Sequence, residues 1–319
     1  MKTILIRINS YGLVLLILSI FRVLLTSSYK IFGVKRFIIR KIFNYKMYLD
    51  IYDGGLSKQL IKYRKRELDH KFILDQVLIP GGTVLDIGAN IGYYALMELS
   101  LVGETGRLIA VEPSPTNVEL LEKNIRLNKK NKNTRIISGA ISSSKGQEKF
   151  YLSHASNLNT FHNYGTVTQH LSGEEIYVDT FRVIDVLSKD DIASGLDLIR
   201  MDVEGHEVDV LNGMIKEITD GIISPSVIFE THISRYTKEN DMAKTLSIFF
   251  DLGYRVKFMA SSWEKGTEII KNFGYSELIY IKTDGVTRAI FENINNEDAI
   301  NIICNTGGAR TVYIEHFKD

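Results

Sequence analysis

The chain has 319 residues, 45% apolar and 24% charged, enough to bury one large core or two modest ones, which excludes both disorder and a disulfide-stapled miniprotein. Its lone cysteine, Cys304, cannot close an intrachain disulfide, so a reduced compartment is the starting expectation. A net charge of +1 exerts no global pull toward nucleic acid, yet residues 1–50 hold nine Lys and Arg against one acid, Asp50, while the remainder holds 30 basic and 37 acidic residues.

Residues 4–25 are almost wholly apolar, but Arg7 and Arg22 bracket an uncharged run of only fourteen residues, and a bilayer crossing needs about 20. A signal anchor, an interfacial helix, a cleaved signal peptide and a buried helix of the body all remain open. At about 100° per residue Arg7, Ser19, Arg22 and Thr26 share a third of the helix circumference, which favours a helix lying in a membrane interface. From Tyr29 to Tyr48, Lys30, Lys35, Arg36, Arg40, Lys41 and Lys46 alternate with Tyr, Phe and Ile. Each basic residue near anionic lipid is worth about 1 kcal/mol. The expected organisation is a membrane-associating helix over 1–26, a basic aromatic linker over 27–60, a catalytic body over 61–285 and a C-terminal extension of no assigned role over 286–319. More positive charge follows the apolar run than precedes it, so the body is expected on the cytoplasmic side of a membrane.

Beyond residue 60 the pattern alternates helix and strand, as in an α/β protein with a mostly parallel sheet. Predicted strands are 83–87, 107–111, 134–138, 196–201, 226–230 and 255–259. Predicted helices are 60–78, 93–101, 116–128, 206–217 and 239–252. Pro80, Pro113, Pro115 and Pro225 fall at the junctions, and Ser114 offers an N-cap. Over 150–183 the alternation fails, and residues 153–172 read as a lid for a hydroxyl-rich acceptor. Phe161 and Tyr164 there read either as rings that stack on a sugar or as residues buried under the lid, and His154, His162 and His170 read as surface loop. Past 260, residues 274–283 and 310–317 read as strands and 289–304 as a helix.

The first strand runs TVLDIGANIGYYAL: it ends at Asp86, and Gly88, Ala89, Asn90 and Gly92 precede a helix. Small residues here let backbone amides approach a ligand at the helix N-terminus. The D-x-G-x-x-x-G spacing departs from the dinucleotide fingerprint G-x-G-x-x-G, which suits a ligand without a pyrophosphate, with Asp86 accepting from an ammonium group. The second strand ends in Val111-Glu112-Pro113, where a carboxylate can take both ribose hydroxyls of an adenosine. An adenosine with a cationic amino-acid tail describes S-adenosylmethionine.

The stretches VLDIGANIGYYAL, IAVEPSPTNVELLEKNIRLN, LDLIRMDVEGHEVDVL and IFETH resemble the FkbM family of class I S-adenosylmethionine-dependent methyltransferases, over roughly residues 63 to 260. DVEG-x-E at Asp202 to Glu207 is the distinctive element, joined by Arg66-Glu67 and Val178-Asp179-Thr180. The resemblance implies a Rossmann-like α/β sheet of about seven strands, mostly parallel, and O-methylation, often of sugars or polyketide-like compounds. By position, Asp86, Gly88, Ala89, Asn90, Gly92 and Glu112 would bind the cosubstrate, with Gly139 and Ala140 beside the adenine. Many class I enzymes place an acid or amide beside the adenine, where Ser138-Gly139-Ala140-Ile141 offers only a hydroxyl and backbone.

In an open α/β sheet the ligand crevice lies at the carboxyl ends of the strands. There Asp202, Glu204 and His206 follow the fourth strand, and Glu230 and His232 the fifth. His232 or Glu230 is the expected general base, with Asp202 and Glu204 positioning the acceptor hydroxyl. A variant places a divalent cation on Asp202, Glu230 and His232. Glu204 reads equally as a helix-capping carboxylate, and His206 as a water-exposed helix residue. The expected activity is methyl transfer to a hydroxyl of a carbohydrate or glycolipid-type acceptor. The rival is a membrane-tethered scaffold that binds the cosubstrate without turnover. The only basic patch lies in the head and lacks a recognition motif, so no nucleic-acid partner is expected.

Overall fold

The computed structural model describes residues 13–33, 35–163 and 168–317, the side chains of 13–16 excepted. In chain order the elements are α1 (Leu13–Ile31), β1 (Phe37–Lys41), β2 (Lys46–Asp50), α2 (Leu56–Tyr63), α3 (Leu68–Val77), β3 (Thr83–Ile87), α4 (Tyr93–Val102), β4 (Arg107–Glu112), α5 (Pro115–Leu127) and β5 (Thr134–Ser138). There follow β6 (Ala140–Ile141), β7 (Gly146–Ser153), β8 (Leu171–Phe181), α6 (Val183–Val186), α7 (Lys189–Ser194), β9 (Leu198–Met201), α8 (Glu207–Asn212), α9 (Ile215–Thr219) and β10 (Ser226–Glu230). The chain closes with α10 (Met242–Asp251), β11 (Tyr254–Ser261), α11 (Glu264–Asn272), β12 (Glu277–Thr283), β13 (Val286–Ile294), α12 (Asn296–Ile300) and β14 (Ala309–His316).

Nine strands form one sheet in the order β12-β13-β11-β14-β10-β9-β3-β4-β5. From β5 to β10 the pairing is parallel, and from β10 to β12 antiparallel. The parallel strands are nearly continuous apolar runs because helices cover both faces. Leu85, Ile87, Val227 and Phe229 enter one core and Val84, Leu198 and Ile228 the other, the period-two alternation a strand imposes. Register places Ile87 level with Val111 and Met201, and Met201 level with Phe229. Hence the glycine loop, Glu112, Asp202 and Glu230 emerge together at one edge of the sheet. The irregular stretch expected over 150–183 belongs to a three-stranded sheet, β6-β8-β7, that already begins at Ala140. Tyr164 lies outside the described residues.

Several expectations change. The helix expected over 60–78 is two, α2 and α3, because Arg64 and Glu67 adopt left-handed φ values of 66° and 49°. The stretch 289–304 is helical only from Asn296, where α12 runs on into a π-helical segment over Asn301–Thr306: β13 occupies its first part, to Ile294, with Ala289, Ile290 and Phe291 fully buried between β11 and β12. The sheet has nine strands rather than about seven because β12 and β13 extend it. The extension over 286–319 supplies β14 to the middle of that sheet. The segment over 27–60 is no linker: Met47 and Leu49 of the β1-β2 hairpin are fully buried, and Asn124 of α5 binds both the N–H and the carbonyl of Tyr48.

α1 packs on α2 through its polar stripe: Ser19 and Thr26 are buried, and Arg22 Nη1 donates to the Lys62 carbonyl at 2.7 Å. Its apolar face points outward, with Ile20, Phe21, Leu24 and Ile31 exposed by 53%, 62%, 63% and 79%. The described part of the stripe that favoured an interfacial helix, Ser19, Arg22 and Thr26, therefore faces the body. Arg7 lies outside the described residues. No helix among the described residues is long and apolar enough to cross a membrane.

Candidate active site

The turn after β3 folds back under the sheet edge. The N–H groups of Gly88 and Ala89 both donate to the Val111 carbonyl, and Asn90 N donates to Glu112 Oε2 at 2.8 Å. Glu112 Oε1 accepts from Ser114 N at 3.0 Å and Asn117 Nδ2 at 3.1 Å. Burial pushes the Glu112 carboxyl up to about 7 against those three donors. Gly88, with φ +77°, must be glycine: a Cβ there would sit 2.4 Å from the Asp202 carbonyl oxygen. A cleft opens above, lined by Gly88, Asn90 and Glu112 and by Gly139, Ala140 and Phe161. Ser156 and Asn157 of the insertion cross it, and Ser156 O accepts from Asn90 Nδ2 and Asn117 Nδ2, both at 3.3 Å.

An adjoining cavity shares Gly88, Asn90, Asn157 and Asp202 with the cleft and adds Ala89, Arg66, Glu67 and Arg200. Asp86 lines neither: it is fully buried, with Oδ1 3.2 Å from Arg200 Nη1. Burial raises its carboxyl although Arg200 pulls it down. Direct capture of an ammonium group by Asp86 is therefore corrected, since the guanidinium occupies that role. Arg200 also donates to the Gly88 carbonyl at 3.3 Å and to Asp202 Oδ2 at 3.3 Å, and lies 3.9 Å over the Tyr94 ring. Gly92 leaves the ligand set too: its φ of 91° starts α4, and a Cβ would meet Leu121 at 2.8 Å.

Where cosubstrate would bind, the residues fit. Ser156 Oγ, Asn157 Oδ1 and Arg66 Nε are buried without hydrogen-bond partners, the first two beside the cleft and the last beside the cavity. At the Gly139 end a Cβ would meet the Asp179 carbonyl at 2.7 Å, so the backbone there is closely apposed. Phe161 lines the cleft and stacks on His206 at 4.4 Å. His206 is itself buried, bonded to Ser142 Oγ at 3.1 Å, against the expectation of a water-exposed residue.

Asp202, Glu204, Glu230 and His232 do converge. His232 Nε2 lies 3.9 Å from Asp202 Oδ1 and 3.6 Å from Glu204 Oε2. His232 Nδ1 is 2.9 Å from Oε1 of Glu207, a fully buried carboxylate that also accepts from Val203 N and Gly205 N. Burial pulls the His232 imidazole down, but Glu207, Glu204 and Glu230 carry it up to about 10. The surrounding acids thus favour the protonated imidazole. Glu230 is held by Arg310 through both oxygens, at 2.7 and 2.9 Å, and Arg310 Nη2 also reaches Glu67 Oε1 at 2.9 Å. Burial pushes Glu230 up to about 8, with Arg310 opposing, and Glu204 up to about 7, with His232 opposing. Glu204, with φ 53°, makes no cap to the following helix; the N–H groups of the turn before it, Val203 and Gly205, donate to Glu207.

Sequence reasoning gave no role to Arg200 or Arg310, and named Glu207 only as the last residue of the DVEG-x-E element. For Arg200 a signal exists: an arginine inside the apolar strand LIRM is anomalous unless paired. For Arg310 there is none, since 243 positions separate it from Glu67.

The strand order, the glycine turn and the acid at the end of β4 define a class I methyltransferase-like α/β fold. Residues 86–256 match the family described as the methyltransferase FkbM domain, and the chain belongs to that family. A protein-L-isoaspartate O-methyltransferase of Caenorhabditis elegans is 40% identical over 53 residues, 17% of this chain and 24% of that protein, so the chain spans about a quarter of that relative's length. Among solved structures, the FkbM methyltransferase of Methylobacillus flagellatus is 13% identical, covering 74% of this chain and 52% of that one at a TM-score of 0.39. A SAM-dependent O-methyltransferase of Thermotoga maritima is 13% identical, covering 91% and 81% at a TM-score of 0.38.

Proposed function

We propose that the protein transfers a methyl group from S-adenosylmethionine to a hydroxyl of a carbohydrate or glycolipid-type acceptor. The observation that carries this reading is the juxtaposition of the Gly88–Glu112 cleft with the Asp202, Glu204, Glu230 and His232 cluster, which share Asp202 and Glu204 as a common wall. S-adenosylmethionine supplies an electrophilic methyl on a sulfonium. Glu112 accepts the ribose hydroxyls, Arg66 faces the amino-acid carboxylate, and Ser156 and Asn157 close the cleft against water. The acceptor oxygen attacks in line, the carbon–sulfur bond breaks with its electrons passing to sulfur, and the hydroxyl proton passes to the carboxylate cluster. The products are a methyl ether and S-adenosylhomocysteine. The test is release of S-adenosylhomocysteine across a panel of saccharide and glycolipid acceptors, beside calorimetric binding of that product. Binding without turnover on any acceptor returns the scaffold reading, and no binding by folded protein removes both.

The same reading places the protein on the cytoplasmic side of a membrane, lying on an anionic surface through α1. Support comes from the outward apolar face of α1 and from the exposed Lys30, Lys35, Arg36, Lys41, Arg64 and Lys65 around it. Apolar insertion and basic attraction reinforce one another at an anionic interface. Co-sedimentation with phosphatidylserine-containing vesicles, lost in Phe21→Ser/Leu24→Ser, supports it; equal sedimentation of the double variant removes it.

A further inference from the structure

We propose that Asp202, Glu204 and His232 form a binding site for a divalent cation of the Mg²⁺ or Mn²⁺ kind, which would hold and polarise the acceptor hydroxyl. The proposal rests on the hydroxyl-methylating reading above for its purpose, but not for its geometry. One potential ligand atom from each of the three side chains lies within 4.8 Å of the other two. They come from two neighbouring strand ends, Asp202 and Glu204 after β9 and His232 after β10, so the sheet register brings them together without a dedicated loop.

Each side chain is prepared on its far side. Asp202 divides its carboxylate: Oδ2 takes Arg200 Nη2 at 3.3 Å, which leaves Oδ1 facing His232. Among the described residues, the one ion pair of Glu204 is with His232 Nε2, and its carboxylate accepts no hydrogen bond. His232 has its Nδ1 fixed by Glu207, so Nε2 is the nitrogen presented to the two acids. Metal-ligating histidines characteristically donate their other ring N–H to a carboxylate in this way, which fixes tautomer and ring direction. Glu207 is in turn anchored by two backbone N–H groups of the same turn, Val203 and Gly205, so the support is rigid.

The donor set selects the ion. Two carboxylate oxygens and one imidazole suit Mg²⁺ or Mn²⁺ rather than a thiophilic metal. Three protein ligands leave positions for water and for an acceptor oxygen. Glu230, expected from sequence as a ligand, is withdrawn, because Arg310 engages both its oxygens. Asp202 and Glu204 also line the cosubstrate cleft, so a hydroxyl bound to the cation would lie beside the methyl donor.

The experiment is calorimetric titration of manganese chloride into the full-length chain with S-adenosylhomocysteine present, followed in parallel by the loss of the free Mn²⁺ paramagnetic signal. The expected result is one saturable site per chain, competed by magnesium. Glu204→Gln and Asp202→Asn should each weaken it by about tenfold or more, and Glu207→Gln by about 10- to 100-fold. Glu204→Gln should keep its melting temperature, so that lost uptake is not lost fold. No saturable Mn²⁺ uptake by protein that binds S-adenosylhomocysteine overturns the cation site and leaves the methyltransferase reading intact. Uptake undiminished in Glu204→Gln overturns it equally. Failure to bind S-adenosylhomocysteine, with or without Mn²⁺ uptake, strikes the methyltransferase reading instead.

Discussion

Glu112 ties the cosubstrate cleft to pH. Its carboxyl rises from an ordinary 4.5 to about 7 in the folded chain, chiefly through burial. A raised acid holds its proton longer in the folded state than in the unfolded one. Its stabilising contribution is therefore present below pH 4.5 and is lost as pH rises toward 7. At about 1.4 kcal/mol per unit, the loss across that window is about 3 kcal/mol. Ligand binding should run the other way, because only the ionised carboxylate can accept from both ribose hydroxyls. Affinity for S-adenosylhomocysteine should climb up to about tenfold per pH unit as pH approaches 7 and then level off. Glu112→Gln has the shape of the protonated form and does not titrate. It should flatten both slopes and, losing two charge-assisted hydrogen bonds at about 1.5 kcal/mol or more each, weaken binding by about 100-fold above pH 7. Urea unfolding and calorimetry of both proteins at pH 5 and pH 8 measure each slope. Parallel wild-type and variant slopes would refute the account, as would a wild-type affinity indifferent to pH.

Three other perturbations probe separate parts of the structure. Arg200→Met leaves Asp86 buried without its cation and should cost about 3 to 5 kcal/mol in urea unfolding, whereas Asp86→Leu/Arg200→Met should cost less than the two single changes combined; simple additivity would deny the coupling. Gly88→Ala places a Cβ 2.4 Å from the Asp202 carbonyl at a φ of +77°, so binding of S-adenosylhomocysteine should vanish in a chain that still folds; retained binding would contradict the close approach. Leu49→Ala, in a segment a linker reading would leave indifferent, should cost about 2 to 5 kcal/mol because Leu49 is fully buried; a cost near zero would return the segment to a linker.

Much of the frame was legible because parallel strands covered on both faces announce themselves as short apolar runs. TVLDI and SVIFE lie within the bounds read from sequence, as the glycine turn and terminal acid do. The ambiguities were also physical. Ala289, Ile290 and Phe291 are a short apolar run, and periodicity cannot divide such a run between strand and buried helix. Amphipathy showed that α1 has a polar stripe, but not what that stripe meets: Ser19 and Thr26 are small enough to pack against α2, which turns the apolar face outward. Asp86 was correctly singled out and wrongly directed. Its partner, Arg200, stands 114 positions away, level with it on the neighbouring strand.

A left-handed backbone at a residue other than glycine is not legible in sequence, even where the residue itself is singled out. Asn90, Glu67 and Glu204 have φ values of 50°, 49° and 53°, and all three surround the cleft or its adjoining cavity. Each carries a backbone cost of about 1 to 2 kcal/mol that a glycine would avoid. A fold selected for stability alone would favour glycine at such positions, so the side chain is what keeps Glu204 there. Glu204→Gly should relieve that cost, less about 0.5 to 1 kcal/mol of added unfolded-state entropy. The net should lie between neutral and about 1 kcal/mol more stable, while methyl transfer falls steeply. Thermal unfolding beside the S-adenosylhomocysteine release assay reads both quantities. A variant destabilised by more than about 1 kcal/mol would show that the carboxylate supports the turn itself, and its place in the chemistry would then have to be argued from another residue.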